Sequence, residues 1–266
     1  MLNRWNDNDA AQYTTDLALR VYTSRLLGQD PSLVLHGGGN TSVKVTEQNI
    51  VGEREEILYV KGSGWDLATI EEAGFAPVRL PHLKALAKLE TLPDPVMVNE
   101  LKTHMTQASA PSPSVETILH AILPYKYVDH THADAVVTVT NTPSGLKHIE
   151  EIYGDSVVVI PYVMPGFDLA RLCAERFAAQ ATDKTVGMVL LNHGIFSFAE
   201  TAKASYEQMI TLVTQAEAYL KKKKAWSIAS APSATIAEPS YNQRSEIAQL
   251  RAKISATAGA AMILSI

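Results

Sequence analysis

Glycine and proline residues interrupt the apolar stretches of this chain, and their positions constrain the fold more than any other feature of the sequence. The runs "EILYV" (56–60), "SVVVIPYV" (156–163) and "GMVLLNHGIFSFA" (187–199) have the length and β-branched content of strands. Further strands are predicted within 32–45 and in a β-rich run over 127–140. Segments with helical periodicity lie between them, at 9–28, 80–90, 96–107, 145–153, 167–180 and 200–223. The pattern predicts alternating helices and strands over residues 1–224.

The composition changes after this region. Residues 225–240, "AWSIASAPSATIAEPS", are rich in alanine, serine and proline and are predicted to be a linker. A short helix (243–256) and an apolar strand-like run, "AAMILSI" (260–266), follow. An unpaired apolar strand edge is a liability for a folded protein. The tail, 241–266, therefore either packs on this domain or is the start of a further domain. The chain is either a fragment of a longer protein, which the linker and the tail favour, or a stand-alone version.

Composition excludes several classes of protein. The chain has 266 residues, is 46% hydrophobic and carries a net charge of −5, which supports a packed core and argues against a general nucleic-acid-binding surface. Its single cysteine, Cys173, lies on the apolar stripe of a predicted helix and is expected in the core. No signal-peptide core or apolar run of membrane-spanning length is present. We expect a cytoplasmic protein with neither a nucleic acid nor a membrane partner.

Two histidines in "VDHTHADA" (128–135) suggest a metal site. On a strand, positions i and i+2 point to the same face, so His130 and His132 can converge on one ion. Structural histidines that bond to the backbone are the alternative. Asp129 is a candidate to orient a ligand imidazole, or it is a solvated strand residue. The other histidines, predicted to be structural or on the surface, are His36, His82, His104, His120 and His148.

A third histidine and a carboxylate extend this candidate site. His193 lies in "LLNHGIF" (190–196), where an apolar strand turns sharply at Gly194. Three histidines with an open fourth position are typical of catalytic zinc. Glu116 is expected in the first turn of a helix that Ser114 caps. Its carboxylate could be a fourth ligand, a general base or only a helix N-terminal charge.

Two glycine loops, "HGGGNTS" (36–42) and "VKGSG" (60–64), could bind an anion. Glycines allow backbone N–H groups to approach an anion closely, and Lys61 adds a positive charge. Neither loop matches the dinucleotide fingerprint or the Walker pattern. Taken alone, each loop is better explained as an ordinary turn.

Together these motifs resemble the class II aldolase/adducin family over roughly residues 10–223. The similar stretches are "GGGNTS", "KGSG", "PSPSVETILH", "HTHA" and "NHG". The stretches "GSGWDLATIEEAGFAPVRL", "PYVMPGF" and "LLNHGIFSF" are closest to the aldolase domain of bifunctional rhamnulose-1-phosphate aldolase/alcohol dehydrogenases. The resemblance implies an α/β fold, a three-layer α/β/α sandwich around a mainly antiparallel sheet.

The resemblance also implies a site. His130, His132 and His193 would bind Zn²⁺ or another divalent metal such as Mn²⁺, Fe²⁺ or Co²⁺. Glu116 matches the catalytic acid/base. The positions matching a phosphate pocket are Asn40, Ser63, Gly64 and Ser114. Val115 stands where many phosphate-using relatives have a second serine, which leaves Ser112 or Lys61 to complete the pocket.

The implied activity is cleavage of a ketose 1-phosphate, such as rhamnulose 1-phosphate, to dihydroxyacetone phosphate and an aldehyde. The implied partners are a small phosphorylated sugar and further copies of the chain, commonly as a tetramer in which a neighbour's tyrosine assists. Tyr153 and Tyr162 are the candidates for that tyrosine. A sugar-phosphate epimerase or dehydratase with the same metal, and a non-catalytic adducin-like binding domain, remain the alternatives.

Overall fold

A computed structural model describes residues 1–226 and 240–263 of the chain. The chain divides into two compact units, Met1–Trp226 and Ser227–Ile266. Most of the predicted linker, 227–239, and the last three residues of the predicted strand-like run, 264–266, lie outside the described residues. None of the helices in the described ranges is both long and apolar enough to cross a membrane.

The first unit alternates helices with strands. Its helices are α1 (Asp7–Ala10), α2 (Asp16–Gly28), α3 (Leu80–Leu86), α4 (Asp94–Thr103), α5 (Thr117–Ile122), α6 (Asp134–Thr140), α7 (Gly145–Tyr153), α8 (Phe167–Gln180) and α9 (Ala202–Lys222). Its strands are β1 (Asn40–Gln48), β2 (Arg54–Lys61), β3 (Phe75–Arg79), β4 (Tyr127–Thr131), β5 (Val157–Ile160), β6 (Gly187–Leu190) and β7 (Gly194–Ala199). In the second unit, α10 spans Tyr241–Ala258 and begins with a capping box at Ser240, and residues 261–263 form no strand.

The predicted β-rich run over 127–140 is wrong in its second half. The strand ends at Thr131, and α6 begins at Asp134. The buried residues of α6 include Ala135, Val136 and Val139, the spacing of one helix face. β-branched residues favour strands only weakly, and packing of this face overrides the preference. The strand predicted at 32–35 is also wrong, because the backbone N–H of Leu33 closes a turn on the Asp30 carbonyl.

One sheet joins all seven described strands, in the order β3-β2-β1-β4-β7-β6-β5. Every neighbouring pair is antiparallel except β5 with β6. Strand β4 lies at the centre, where Asn40 of β1 is opposite His130 and Ile195 of β7 is opposite Thr131. This register places the start of β1, the end of β4 and the start of β7 side by side in the sheet.

Helices cover both faces of the sheet, which confirms the predicted α/β/α arrangement. One layer contains α3, α5 and α8, and the other contains α2, α6, α7 and α9. Each layer buries an apolar cluster against the sheet, and burial of this apolar area is the main force that stabilises the domain. Cys173 is fully buried in the first cluster, as predicted.

A buried ion pair lies beneath β4 on the α2/α9 side. The Arg20 guanidinium of α2 pairs with the Asp129 carboxylate, and both side chains are fully buried. Ser205 of α9 donates its hydroxyl to the second carboxylate oxygen. Asp129 therefore does not orient a ligand imidazole, and it is not solvated. Neighbouring strand positions face opposite sides of a sheet, so Asp129 and His130 diverge.

We expect Asp129→Asn to destabilise the protein strongly, because it leaves the Arg20 charge buried without its partner. Breaking one side of such a pair typically costs about 3–5 kcal/mol. For a domain of this size, that corresponds to a fall in Tm of roughly 6 °C or more. Asp155→Asn is the control, because Asp155 pairs with Lys184 at an exposed site and its loss should leave Tm unchanged. Equal Tm values for the two variants would contradict the argument.

Candidate metal centre and active site

Three histidines from two parts of the chain meet at the end of β4. His130 is the fourth residue of β4, His132 follows the end of the strand, and His193 lies in the turn between β6 and β7. Pairing of β4 with β7 brings that turn beside the strand end. One nitrogen of each ring lies within 4.8 Å of the others. The predicted convergence is present, although His132 lies outside the strand.

Hydrogen bonds fix how the ring of His130 faces this centre. Its Nδ1–H donates to the carbonyl oxygen of Ile195 at 3.1 Å, so its Nε2 carries the free lone pair. That Nε2 lies 3.1 Å from Nε2 of His132. The ring also stacks on Phe196, with centroids 4.1 Å apart. The pair therefore presents two nitrogens towards one point.

Gly194 makes this approach sterically feasible. A Cβ at this position would lie 2.4 Å from the carbonyl oxygen of Thr131 and 2.9 Å from Cε1 of His130. Any larger residue would push the β6–β7 turn away from the end of β4. The glycine after His193 is thus required by the close packing of the histidine cluster.

The electrostatics of the cluster suit a metal ion. Burial lowers the pKa of His130 well below its usual value, and burial also lowers the pKa of His132 and His193. Neutral imidazoles keep the lone pairs that bind a cation. Among the described residues, buried Nδ1 of His193 has no hydrogen-bond partner. A neutral, converging trio with an unsatisfied nitrogen fits a divalent metal.

The Glu116 carboxylate lies against this cluster. It precedes the first residue of α5, and its Oε1 and Oε2 lie 3.5 Å from Nε2 of His193 and 3.6 Å from Nε2 of His130. Burial raises the pKa of Glu116, while the nearby His193 acts in the opposite direction. Its Oε1 is buried and accepts no hydrogen bond in the described structure. Such a carboxyl is suited to proton transfer.

A chain of buried polar side chains holds the other carboxylate oxygen. Asn40 donates its Nδ2–H to Oε2 of Glu116 at 2.6 Å, and Nε2–H of His120 donates to Oδ1 of Asn40. On the far side of the imidazole, Nδ1 of His120 lies 2.8 Å from the hydroxyl of Ser42. Strand β1 and helix α5 are thereby linked, and the amide orientation of Asn40 is fixed.

The sequence alone does not indicate that His120 and Ser42 support the site through Asn40. His120 lies four residues after Glu116, so the two share a helix face, but the sequence does not reveal that Asn40 lies between them. The expected Ser114 cap is also modified. Helix α5 begins at Thr117, and the Ser114 hydroxyl accepts the backbone N–H of Glu116 at 3.2 Å.

His132, His193 and Glu116 border an open cavity of about 330 Å³. Lys61 also lines this cavity, and its Nζ donates to the carbonyl of Gly37 at 2.9 Å. Ser112 is not among the lining residues, so Lys61 is the better placed of the two candidates to complete an anion pocket. The predicted site residues that line the cavity are Asn40, Ser63, Gly64, Ser114, Glu116, His132 and His193. His130 lies buried behind them.

The two candidate tyrosines differ in their environments. Tyr153 is packed into the core, and its hydroxyl donates to the carbonyl of Leu212 at 2.9 Å. It is therefore not available to a neighbouring subunit. Tyr162 is 55% exposed and keeps its place as a candidate.

The fold is that of a class II aldolase domain. Residues 18–220 match the Class II Aldolase and Adducin N-terminal domain family. This match spans most of the chain, and the chain belongs to that family.

Individual relatives agree with this assignment. An "Uncharacterized oxidoreductase YuxG" of Bacillus subtilis (strain 168) is 39% identical over 216 residues, which cover 81% of this chain and 31% of that protein. The chain thus spans about a third of the length of this curated relative. The N-terminal class II aldolase domain of a conserved Thermoplasma acidophilum protein is 44% identical, with a TM-score of 0.76, covering 83% of this chain and 99% of that chain.

A more distant structure shares the fold alone. The sugar-phosphate aldolase from Thermotoga maritima has a TM-score of 0.57 at 15% identity, covering 79% of this chain and 96% of that chain.

For metal-free Glu116→Gln protein, we expect the free energy of unfolding to fall as the pH drops below about 6.5. Burial holds the pKa of His120 and His130 well below 6.5, so the unfolded chain takes up protons that the folded chain excludes. These two groups alone contribute a slope of up to about 2.7 kcal/mol per pH unit, and His132 and His193, whose pKa values burial also lowers, act in the same direction. Replacing Glu116 removes a raised pKa that acts with the opposite sign. Urea unfolding measured across about pH 5–7 tests this slope.

The His120→Gln substitution in the same background provides the control. It removes one of the buried imidazoles and should reduce the slope by up to about 1.4 kcal/mol per pH unit. A slope that is flat, or that is unchanged by this substitution, would show that the buried imidazoles do not resist protonation.

Proposed function

We propose that this chain is a metal-dependent aldolase that cleaves a ketose 1-phosphate, of the rhamnulose 1-phosphate kind, into dihydroxyacetone phosphate and an aldehyde. The observation that carries the proposal is the unpartnered Oε1 of Glu116, placed beside three neutral imidazoles on the wall of an open cavity. Family membership supports an enzyme of the aldolase kind. The Thermotoga maritima sugar-phosphate aldolase shares the fold.

In this proposal, His130, His132 and His193 hold a zinc ion or another divalent ion such as manganese, iron or cobalt. When bound, the ion supplies positive charge that stabilises the negative charge developing on the substrate oxygens during carbon–carbon cleavage. The hydrogen bond from His130 to Ile195 keeps its ring in place for this role. A Schiff-base lysine is then unnecessary.

Glu116 is the proposed acid/base. Cleavage of the C3–C4 bond leaves an electron pair at C3, and the C4 hydroxyl loses its proton as the aldehyde forms. The carboxyl of Glu116 shuttles a proton to or from this carbon skeleton at Oε1, the oxygen without a hydrogen-bond partner. Its raised pKa lets it hold that proton closer to neutral pH than an exposed glutamate would.

The glycine loops are the proposed phosphate site. Ser63, Gly64 and Ser114 line the cavity, and the Lys61 ammonium adds charge complementary to a phosphate. Asn40 completes the predicted set. We also propose a homo-oligomer, commonly a tetramer in the family, with Tyr162 as the candidate tyrosine from a neighbouring copy.

The same site would serve a sugar-phosphate epimerase or dehydratase. A structure from Klebsiella pneumoniae, described as a putative aldolase/epimerase/decarboxylase, shares the fold at a TM-score of 0.54 and 16% identity. A base beside a metal can abstract a proton without cleaving a bond, so geometry alone does not separate these reactions. A panel of ketose 1-phosphates, with release of dihydroxyacetone phosphate as the readout, separates aldol cleavage from these reactions.

We expect His132→Ala to lose cleavage together with the metal held at this centre, and Glu116→Gln to keep that metal while losing rate. The imidazole is proposed to bind the ion, whereas the carboxyl moves a proton, a contribution that is typically about 10²–10⁴-fold. Metal content per chain and the rate of dihydroxyacetone phosphate release are the measurements. His148→Asn, at a surface histidine that contacts Tyr219, is the matched control. Full cleavage by metal-free His132→Ala protein would refute the mechanism.

Asn40→Ala distinguishes two roles for this residue. If Asn40 chiefly holds Glu116, the loss of its hydrogen bond raises the pKa of that carboxyl further. The pH–rate profile then shifts upward and kcat falls, with metal content unchanged. If Asn40 chiefly binds phosphate, KM rises and the profile stays in place. We expect the first result, because both polar atoms of the amide already contact protein groups.

A further inference from the structure

We propose that His82, Glu100 and His104 form a second divalent-metal site, separate from the one at the end of β4. Each of these three side chains offers one ligand atom, and the atoms lie within 4.8 Å of one another. Two imidazoles and a carboxylate are a known ligand set for zinc. The proposal does not depend on the function proposed above.

The ligands come from two helices that the backbone holds together. His82 lies in the first turn of α3, while Glu100 lies in the last turn of α4 and His104 directly follows that helix. The spacing of Glu100 and His104 places them on one helix face. The backbone N–H of Arg79 donates to the carbonyl of His104 at 3.1 Å, and Val78 forms a β-bridge with Met105. The start of α3 and the end of α4 are thus fixed side by side before any ion binds.

The three side chains lie in contact with one another. Nε2 of His82 lies 3.0 Å from Oε2 of Glu100. Nδ1 of His104 lies 2.9 Å from the backbone carbonyl of Glu100 and 3.7 Å from its Oε2. The two imidazoles stack with their centroids 3.2 Å apart and their planes 6° apart.

The site is open to solvent. The side chains of His82, Glu100 and His104 are 25%, 29% and 32% exposed. An ion can therefore enter from water, and water molecules can complete its coordination. Mixed imidazole and carboxylate donors suit a borderline divalent metal such as zinc rather than calcium or magnesium. A bound ion would connect α3 to α4 more firmly than the present hydrogen bonds do.

Zinc binding to the full chain tests this site. Equilibrium dialysis at micromolar free zinc should find two equivalents per chain for the original protein. We expect His82→Asn and Glu100→Gln each to lose one equivalent and keep the other. The control His148→Asn should bind two equivalents, because the imidazole of His148 contacts a tyrosine rather than a second histidine.

A second measurement isolates the site in the folded protein. In the His132→Asn background, added zinc should still raise Tm, because ligands that bind only the folded state stabilise it. The same zinc should not raise Tm when Glu100→Gln is added. Two results would each overturn the second site. One is that His82→Asn and Glu100→Gln both still bind two zinc equivalents per chain. The other is that zinc raises Tm equally with and without Glu100→Gln. A loss of one zinc equivalent in His132→Asn concerns only the site at the end of β4. The two proposals can therefore be refuted independently.

Discussion

The candidate site depends on the pairing of β4 with β7. Thr131 lies opposite Ile195 in this ladder, and the Ile195 carbonyl accepts the Nδ1–H of His130. The same pairing brings the turn that carries His193 to the strand end, and Gly194 leaves room for it. One set of backbone hydrogen bonds thus sets both the distance between the ligands and the orientation of one ring. His132 and His193 lie just outside the strands, but the paired central strands position both segments, which defines the site more precisely than unsupported loops would.

The central strand serves a different purpose on each face. On one side, Asp129 is buried with Arg20 and Ser205, and this polar group ties α2 and α9 to the sheet. On the other side, His130 stacks on Phe196 and faces Glu116. Buried charges and imidazoles are unfavourable unless they are paired. Here Asp129 pairs with Arg20 on one face of the sheet, and the imidazole of His130 donates to the Ile195 carbonyl on the other. The sheet thus keeps the two polar groups apart.

Much of this arrangement could be predicted from the sequence. Helix α8 was predicted with the bounds that the structure has, because its apolar periodicity is strong, and the family motifs indicated the three histidines. Helix α6 was mistaken for strand because its β-branched residues pack as a helix face only in the tertiary context. The link from His120 through Asn40 to Glu116 joins residues 76 and 80 positions apart in sequence. The cluster around His82 was missed for the same reason, since one of its members comes from another helix.

The separation of the histidines along the chain also bears on biosynthesis. His130 and His132 leave the ribosome early, but they meet His193 only after β7 has been synthesised and has paired with β4. A nascent chain therefore offers at most two of the three imidazoles until about Ala199 has emerged. Binding of an ion by all three histidines, as proposed, would therefore be a late event that follows closure of the sheet.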